Sequence, residues 1–239
     1  MSEQRAAVRR DEAAPSARRA AGGRRVGNVL FHAIYRSRII GAERVPSTGP
    51  VLLASNHTGI LDGPLVYGLA PRPTHFLVKT EMFHGPAGWV LDHCGQIPIR
   101  RDTIDRGALQ QALAVLRHSG VVGVFPEGSR GRGDVAAVHE GVTYLAMVSG
   151  APVVPVACLG TRRPGGSVGQ PPRPWRRVAV VFGQPVHLVP APDLSRREAS
   201  RQLTEQLRVA LADHVRDSAD LTGIPLYEDL HTLGLEGVS

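Results

Sequence analysis

Val51-Leu52-Leu53-Ala54-Ser55-Asn56-His57-Thr58-Gly59-Ile60-Leu61-Asp62 decides the fold. Its first four residues are apolar without alternation, the pattern of a strand buried on both faces. Polar and turn-forming residues follow at once, and a helix over about 61–69 comes next. The same order repeats along the chain. Strands are predicted at 75–78, 96–99, 121–125, 153–159 and 178–182. Helices are predicted at 86–93, 104–117 and 141–149, the second carrying Leu109, Ala112, Leu113 and Leu116 on one face. A last helix opens on Ser195-Arg196-Arg197-Glu198, a capping box, and carries Leu203, Leu207, Ala210, Leu211 and Val215 at helical spacing. Residues 41–49 read as strand and turn, and 161–176 as a loop. Strands alternating with helices predict an α/β fold. We read it as a single domain with a mixed, largely parallel central sheet flanked by helices and reactive loops at the strand ends.

Composition narrows the setting. The chain has 239 residues, 42% hydrophobic and 21% charged, which suits one soluble domain with appendages. No apolar run is long enough to span a bilayer, and the arginines at the N-terminus have no apolar segment of signal-peptide type behind them. Two cysteines make no disulfide framework, so a reducing, cytoplasmic setting is expected. The net charge is +7, carried almost wholly by arginine, with Lys79 the single lysine. Arg5, Arg9, Arg10, Arg18, Arg19, Arg24 and Arg25 crowd the start of the chain. Residues 1–25 therefore read as a disordered basic tail, suited to anionic lipid or nucleic acid, or simply solvated. Val26, Val29, Leu30, Ala33 and Ile34 then predict an amphipathic helix within 26–40, ending near 36–38. The main domain is expected over 41–217, with a C-terminal extension over 218–239.

Four short constellations stand out. His57 and Asp62 flank the turn after the first buried strand. A carboxylate folded back onto an imidazole fixes its tautomer and leaves the other nitrogen as a general base; the same two residues read equally as a core histidine and a helix cap. Phe125-Pro126-Glu127-Gly128-Ser129-Arg130-Gly131 follows another buried strand, where glycines admit a close ligand and arginine can fork onto phosphate. It lacks the Gly-Lys-Ser/Thr ending of a P-loop. The third constellation is Gly95-Gln96-Ile97-Pro98-Ile99-Arg100-Arg101, and the fourth Val153-Val154-Pro155-Val156.

In order and spacing these four segments, across roughly residues 40–190, resemble the glycerolipid (lysophospholipid) acyltransferase family. Its Asn-His-x4-Asp motif is matched by Asn56, His57 and Asp62. Its Phe-Pro-Glu-Gly-Thr-Arg-Ser motif is matched over 125–131 with Ser129 for threonine, and Arg101 takes the place of its invariant arginine. The resemblance implies transfer of a fatty acyl group from an acyl-coenzyme A or acyl-carrier-protein thioester to a lysophospholipid hydroxyl. The first expected acceptor is 1-acyl-glycerol-3-phosphate. It implies His57 as general base held by Asp62, with no acyl-enzyme. Arg101, Glu127, Gly128, Ser129 and Arg130 would bind the acceptor phosphate. Asn56, Gly95, Pro126 and Pro155 would shape the site or the acyl side. No metal or cofactor beyond the thioester is implied, and peripheral attachment to the anionic inner face of the cell membrane is expected.

Rival readings are weaker. His57, His75, His84, His93, Asp62 and Asp92 crowd one third of the chain, but their spacing matches no zinc pattern. Cys94 and Cys158 sit in apolar segments, as inert thiols do. A basic adaptor for nucleic acid would want interleaved aromatics, and these are only 5% of the chain, so no nucleic-acid partner is expected.

Overall fold

The computed structural model describes residues 14–100, 105–128, 130–131, 133–163 and 166–226. Its elements in chain order are α1 (Ala17–Ile34), β1 (Arg36–Ile40), β2 (Val51–Ser55), α2 (Asp62–Leu69), β3 (Thr74–Lys79), α3 (Gly85–His93) and β4 (Ile97–Ile99). They continue with α4 (Arg106–Arg117), β5 (Val121–Val124), α5 (Glu140–Ser149), β6 (Val153–Leu159), β7 (Arg177–Phe182) and α6 (Arg196–Thr222). The seven strands form one sheet in the order β1-β7-β6-β2-β5-β3-β4. Every adjacent pair is parallel except β6–β7, so the predicted mixed, largely parallel sheet is present.

Strand β2 is buried throughout and lies between β6 and β5. Its side chains alternate between the two faces. Leu52 and Ala54 join the core under α4, α5 and α6, whereas Val51 and Leu53 join the core under α2 and the end of α1. Helices thus cover both faces, which explains why the apolar run showed no alternation. Because β2, β5, β6, β3 and β4 run the same way, their C-terminal ends share one edge. The antiparallel step brings the N-terminal ends of β7 and β1 to that same edge, with Ala179 opposite Leu159 and Arg36 opposite Arg177.

Two expected boundaries are corrected. Residues 17–25 are not a disordered tail: they form the first half of α1, capped by Ser16 and packed on α2. The packing face is made of small residues, Ala20, Gly23 and Gly27, which no apolar periodicity reveals. A Cβ at Gly27 would stand 3.1 Å from the Gly68 Cα, so the backbones meet closely. Tyr67 donates to the Ala20 carbonyl at 2.7 Å and Arg24 to that of Ala70 at 3.1 Å. The helix stops at Ile34, and Arg36–Ile40 is a strand, not the end of the helix predicted within 26–40. At the other end, α6 runs unbroken past residue 217 to Gly223, whose φ of 62° ends it. The boundary expected at 218 therefore falls inside a helix. Residues 1–13 and 227–239 lie outside the described set. Among the described residues no helix is long and apolar enough to cross a membrane.

Candidate active site

Asn56 fastens the turn after β2. Its side chain donates to the Cys158 carbonyl at 3.2 Å and accepts from the Cys158 amide at 2.8 Å, continuing the β2–β6 ladder by one rung. The next residue, His57, is thereby carried to the edge of the sheet where the parallel strands end. The chain then reverses so that Asp62, the first residue of α2, points back at it. His57 Nδ1 donates to Asp62 Oδ2 at 2.8 Å, and the same oxygen accepts the amides of Thr58 at 2.6 Å and Gly59 at 2.8 Å. Asp62 Oδ1 accepts a short hydrogen bond from the Thr161 hydroxyl, with the Thr58 hydroxyl at 3.5 Å. Asp62 is 0% exposed. A carboxyl group buried that completely and surrounded by donors is arranged as a carboxylate acceptor.

With Nδ1 spent on Asp62, the neutral imidazole carries its lone pair on Nε2. Nε2 makes no hydrogen bond among the described residues, yet His57 retains 7% exposure and leaves no sealed, unpaired nitrogen. The ring stacks on Phe125 with centroids 4.2 Å apart, and Phe125 stacks on Phe76 at 5.3 Å. The imidazole is thus fixed by a carboxylate on one side and an aromatic wall on the other. That is the geometry of a general base poised at the mouth of a site.

The segment after β5 folds over this base. The His57 amide donates to Glu127 Oε1 at 2.9 Å, and the Gly131 amide donates to the His57 carbonyl at 2.9 Å. Burial pushes the Glu127 carboxyl up to about 7; the His57 amide opposes this, while the charges of Asp134 and Asp62 add to it. Gly128 closes a turn onto the Phe125 carbonyl with φ of 70°, beneath the ring of His139. Arg130 keeps its Nε buried without a hydrogen-bond partner among the described residues. The Pro126 carbonyl accepts the His139 amide at 2.8 Å.

The structure therefore brings Asn56, His57, Asp62, Pro126, Glu127, Gly128 and Arg130 together. Gly95 does not join them: it precedes β4 at the opposite edge of the sheet, where its carbonyl lies 2.6 Å from His75 Nδ1. Pro155 lies inside β6, paired with Ala54 and packed on Gly183. Arg101 and Ser129 lie outside the described residues, though Ile99 ends β4 at the same edge of the sheet as His57.

The Acyltransferase family model matches residues 36–159, from the start of β1 to the end of β6. The chain belongs to the acyltransferase family. A lyso-ornithine lipid O-acyltransferase of Pseudomonas aeruginosa is 33% identical over 178 residues, covering 68% of each chain. A 1-acyl-sn-glycerol-3-phosphate acyltransferase of Bacillus subtilis (strain 168) is 26% identical over 172 residues, 71% of this chain and 83% of its own. The crystal structure of the 1-acyl-sn-glycerophosphate acyltransferase PlsC from Thermotoga maritima shares the fold, with a TM-score of 0.60 at 23% identity over 81% of this chain and 78% of that one. The enzyme is accordingly an O-acyltransferase.

Three residues packed around the His57–Asp62 turn are not legible in the sequence. Thr161 reaches Asp62 from 99 positions away, at the start of a segment that the sequence marks only as a loop. Thr58 lies within the first motif but at one of its unspecified positions. Gly133, with φ of 81°, lies against Thr58 and Asn56, where a Cβ would collide with the Thr58 methyl. The repeated glycines over 128–133 were the available signal.

Proposed function

We propose that this acyltransferase moves a fatty acyl group from an acyl-coenzyme A or acyl-carrier-protein thioester to the free hydroxyl of a lysophospholipid. The preferred acceptor is 1-acyl-glycerol-3-phosphate, the product then being phosphatidic acid. The observation that carries this reading is the His57–Asp62 pair with Nε2 open at the sheet edge. Nε2 takes the acceptor hydroxyl proton as its oxygen attacks the thioester carbonyl. Collapse of the tetrahedral species breaks the C–S bond, and the imidazolium returns the proton to the leaving thiolate. No acyl-enzyme is needed, because acceptor and donor react directly. Asp62 stabilises the imidazolium through the 2.8 Å bond.

Arg130, whose Nε has no hydrogen-bond partner among the described residues, would clamp the acceptor phosphate together with Arg101, Ser129 and the Glu127–Gly128 turn. The relatives' names support a lyso-lipid acceptor, and that of the 33%-identical lyso-ornithine lipid O-acyltransferase favours a second reading, in which the acceptor is a lyso-lipid other than 1-acyl-glycerol-3-phosphate. Either acceptor resides in a bilayer, so the enzyme works at the inner face of the cell membrane, attached peripherally.

The test is thiol release from a long-chain acyl-coenzyme A, and from carrier-bound acyl chains, with 1-acyl-glycerol-3-phosphate and other lyso-lipids offered in turn. Release that needs an acceptor and falls about 10²–10⁴-fold in His57→Ala is expected. Silence with both donors and every acceptor would overturn the reading.

A further inference from the structure

Trp175 is one of only two tryptophans in the chain and stands 66% exposed. Its φ of 66° is a left-handed conformation that a bulky residue adopts only under constraint. The constraint is visible. The Trp175 amide donates to the Ile34 carbonyl at 2.7 Å, at the end of α1. Beside it the Arg36 amide donates to the Arg176 carbonyl at 3.0 Å, and the Tyr35 hydroxyl to the Pro172 carbonyl at 3.2 Å. The loop is thus tied to the α1–β1 junction so that the indole is turned outward instead of being buried.

What lies next to the indole is equally unusual. The outer stripe of α1 carries Val26, Val29 and Leu30, with Ile34 at its end, all exposed, Val29 at 68%. Arg173, Arg176, Arg36 and Arg38 are exposed around the same junction. Neither residues 14–42 nor residues 141–192 contain a single Asp or Glu. On the border, Arg177 donates to the Gly223 carbonyl at 3.3 Å, near Asp220 at the end of α6. An apolar stripe ending in a tryptophan and ringed by arginine matches the boundary between acyl chains and anionic headgroups.

The position also suits the chemistry. Arg177 and Arg36 begin β7 and β1 at the catalytic edge. Strand β2, which ends beside His57, is three strands from β1, or about 14 Å. A pocket lined by Thr58, Gly160, Arg162, Arg176, Ile224 and Leu226 lies between the catalytic turn and this patch.

We propose that the 173–176 loop and the outer stripe of α1 form one docking face for an anionic phospholipid bilayer, with Trp175 as its interfacial anchor. The proposal rests on the reading of the acceptor as a membrane lipid, and it names the surface that presents the enzyme to that lipid. Acidic protein surfaces are the rival occupant; the exposed Val26–Leu30 stripe favours the bilayer.

The test uses the full chain and vesicles of equal parts phosphatidylglycerol and phosphatidylcholine. With Trp89→Phe the remaining indole is Trp175, and its emission is expected to shift to the blue on adding vesicles. With Trp175→Phe the remaining indole is Trp89, 68% exposed on α3, and no shift is expected. Trp175→Gly relieves the strained backbone, so the fold is kept while vesicle binding falls at least about tenfold. Replacing Arg173 and Arg38 with Gln lowers binding about fivefold for each charge at low salt. Transfer to detergent-dispersed acceptor stays at the wild-type rate in all of these variants. A blue shift from Trp89 alone, or unchanged vesicle binding by Trp175→Gly, would overturn the docking face. So would binding to carrier protein but not to vesicles. Absence of transfer in micelles with vesicle binding intact would instead refute the catalytic reading.

Discussion

Replacing Asp62 with asparagine separates charge from geometry at the base. Oδ2 accepts His57 Nδ1, the Thr58 amide and the Gly59 amide, while Oδ1 faces the hydroxyls of Thr161 and Thr58. An asparagine with its carbonyl in the Oδ2 position keeps all three of the first bonds. Its NH2 then points at two hydroxyls, both of which can turn to accept. Orientation and tautomer of His57 survive, and only the negative charge beside the nascent imidazolium is lost. At about 4 Å between charge centres and an effective dielectric near 20 that charge contributes about 4 kcal/mol. The expected result is a roughly 10³-fold fall in kcat, with the acceptor KM and the Tm nearly unchanged. Asp62→Ala should add a stability loss of about 1–3 kcal/mol for each of the two amides it strands. The assay is steady-state thiol release at saturating donor, paired with thermal unfolding. An Asp62→Asn enzyme retaining more than a tenth of wild-type kcat would refute the role given to the carboxylate charge. A collapse of Tm in that variant would refute the claim that the geometry is kept.

Other outcomes follow from the same geometry. Thr161→Val removes one hydrogen bond to Asp62, so stability should fall by about 1.5–3 kcal/mol while kcat falls far less than in Asp62→Asn; equal kcat losses in the two variants would give Thr161 a direct part in the reaction. Glu127 titrates near 7 in the folded chain against 4.5 in the unfolded one, so the folded state holds more protons between those values. Stability should therefore fall as pH rises from about 4.5 to 7, by on the order of 3 kcal/mol, and Glu127→Gln should abolish that fall in denaturant titrations. Gly128→Ala meets only the exposed His139 ring, so its stability cost is mainly the strained φ, about 1–2 kcal/mol, read from the same titrations, and any loss of phosphate clamping should fall on the acceptor KM instead of kcat. Gly133→Ala presses on buried Thr58, whose amide holds Asp62, and should lose activity as well as stability; equal kcat in the two alanine variants would disprove this.

Much of this was legible before any coordinates. Continuous apolar runs located the strands because helices cover both faces of the sheet, and the capping box at Ser195 marked the true start of α6. The spacing of His57 and Asp62 allowed the contact, because a tight turn can fold five residues back on themselves, but only the four motifs together set the pair apart from a core histidine and a helix cap. Thr161 was not legible, since its approach to Asp62 depends on β6 lying beside β2, a long-range fact with no local trace. The N-terminal helix was misread for a different reason. Its buried face is Ala20, Gly23 and Gly27, and hydrophobic patterning registers bulk, so a helix seated by close backbone approach resembles a flexible basic tail.

The pairing of β1 has a bearing on how the chain can be divided. The family match spans residues 36–159, yet β1 pairs with β7, which starts at Arg177. An excised 36–159 segment would carry β1 with no strand to join and would leave the side of β6 that β7 covers bare. Removing the chain up to Ile40 would in turn bare Val178–Ala179–Val180–Val181–Phe182, a run of high β-propensity with nothing to quench its free edge. Homology boundary and folding boundary are thus different places in this enzyme, and fragments cut at the former should collect as insoluble aggregates.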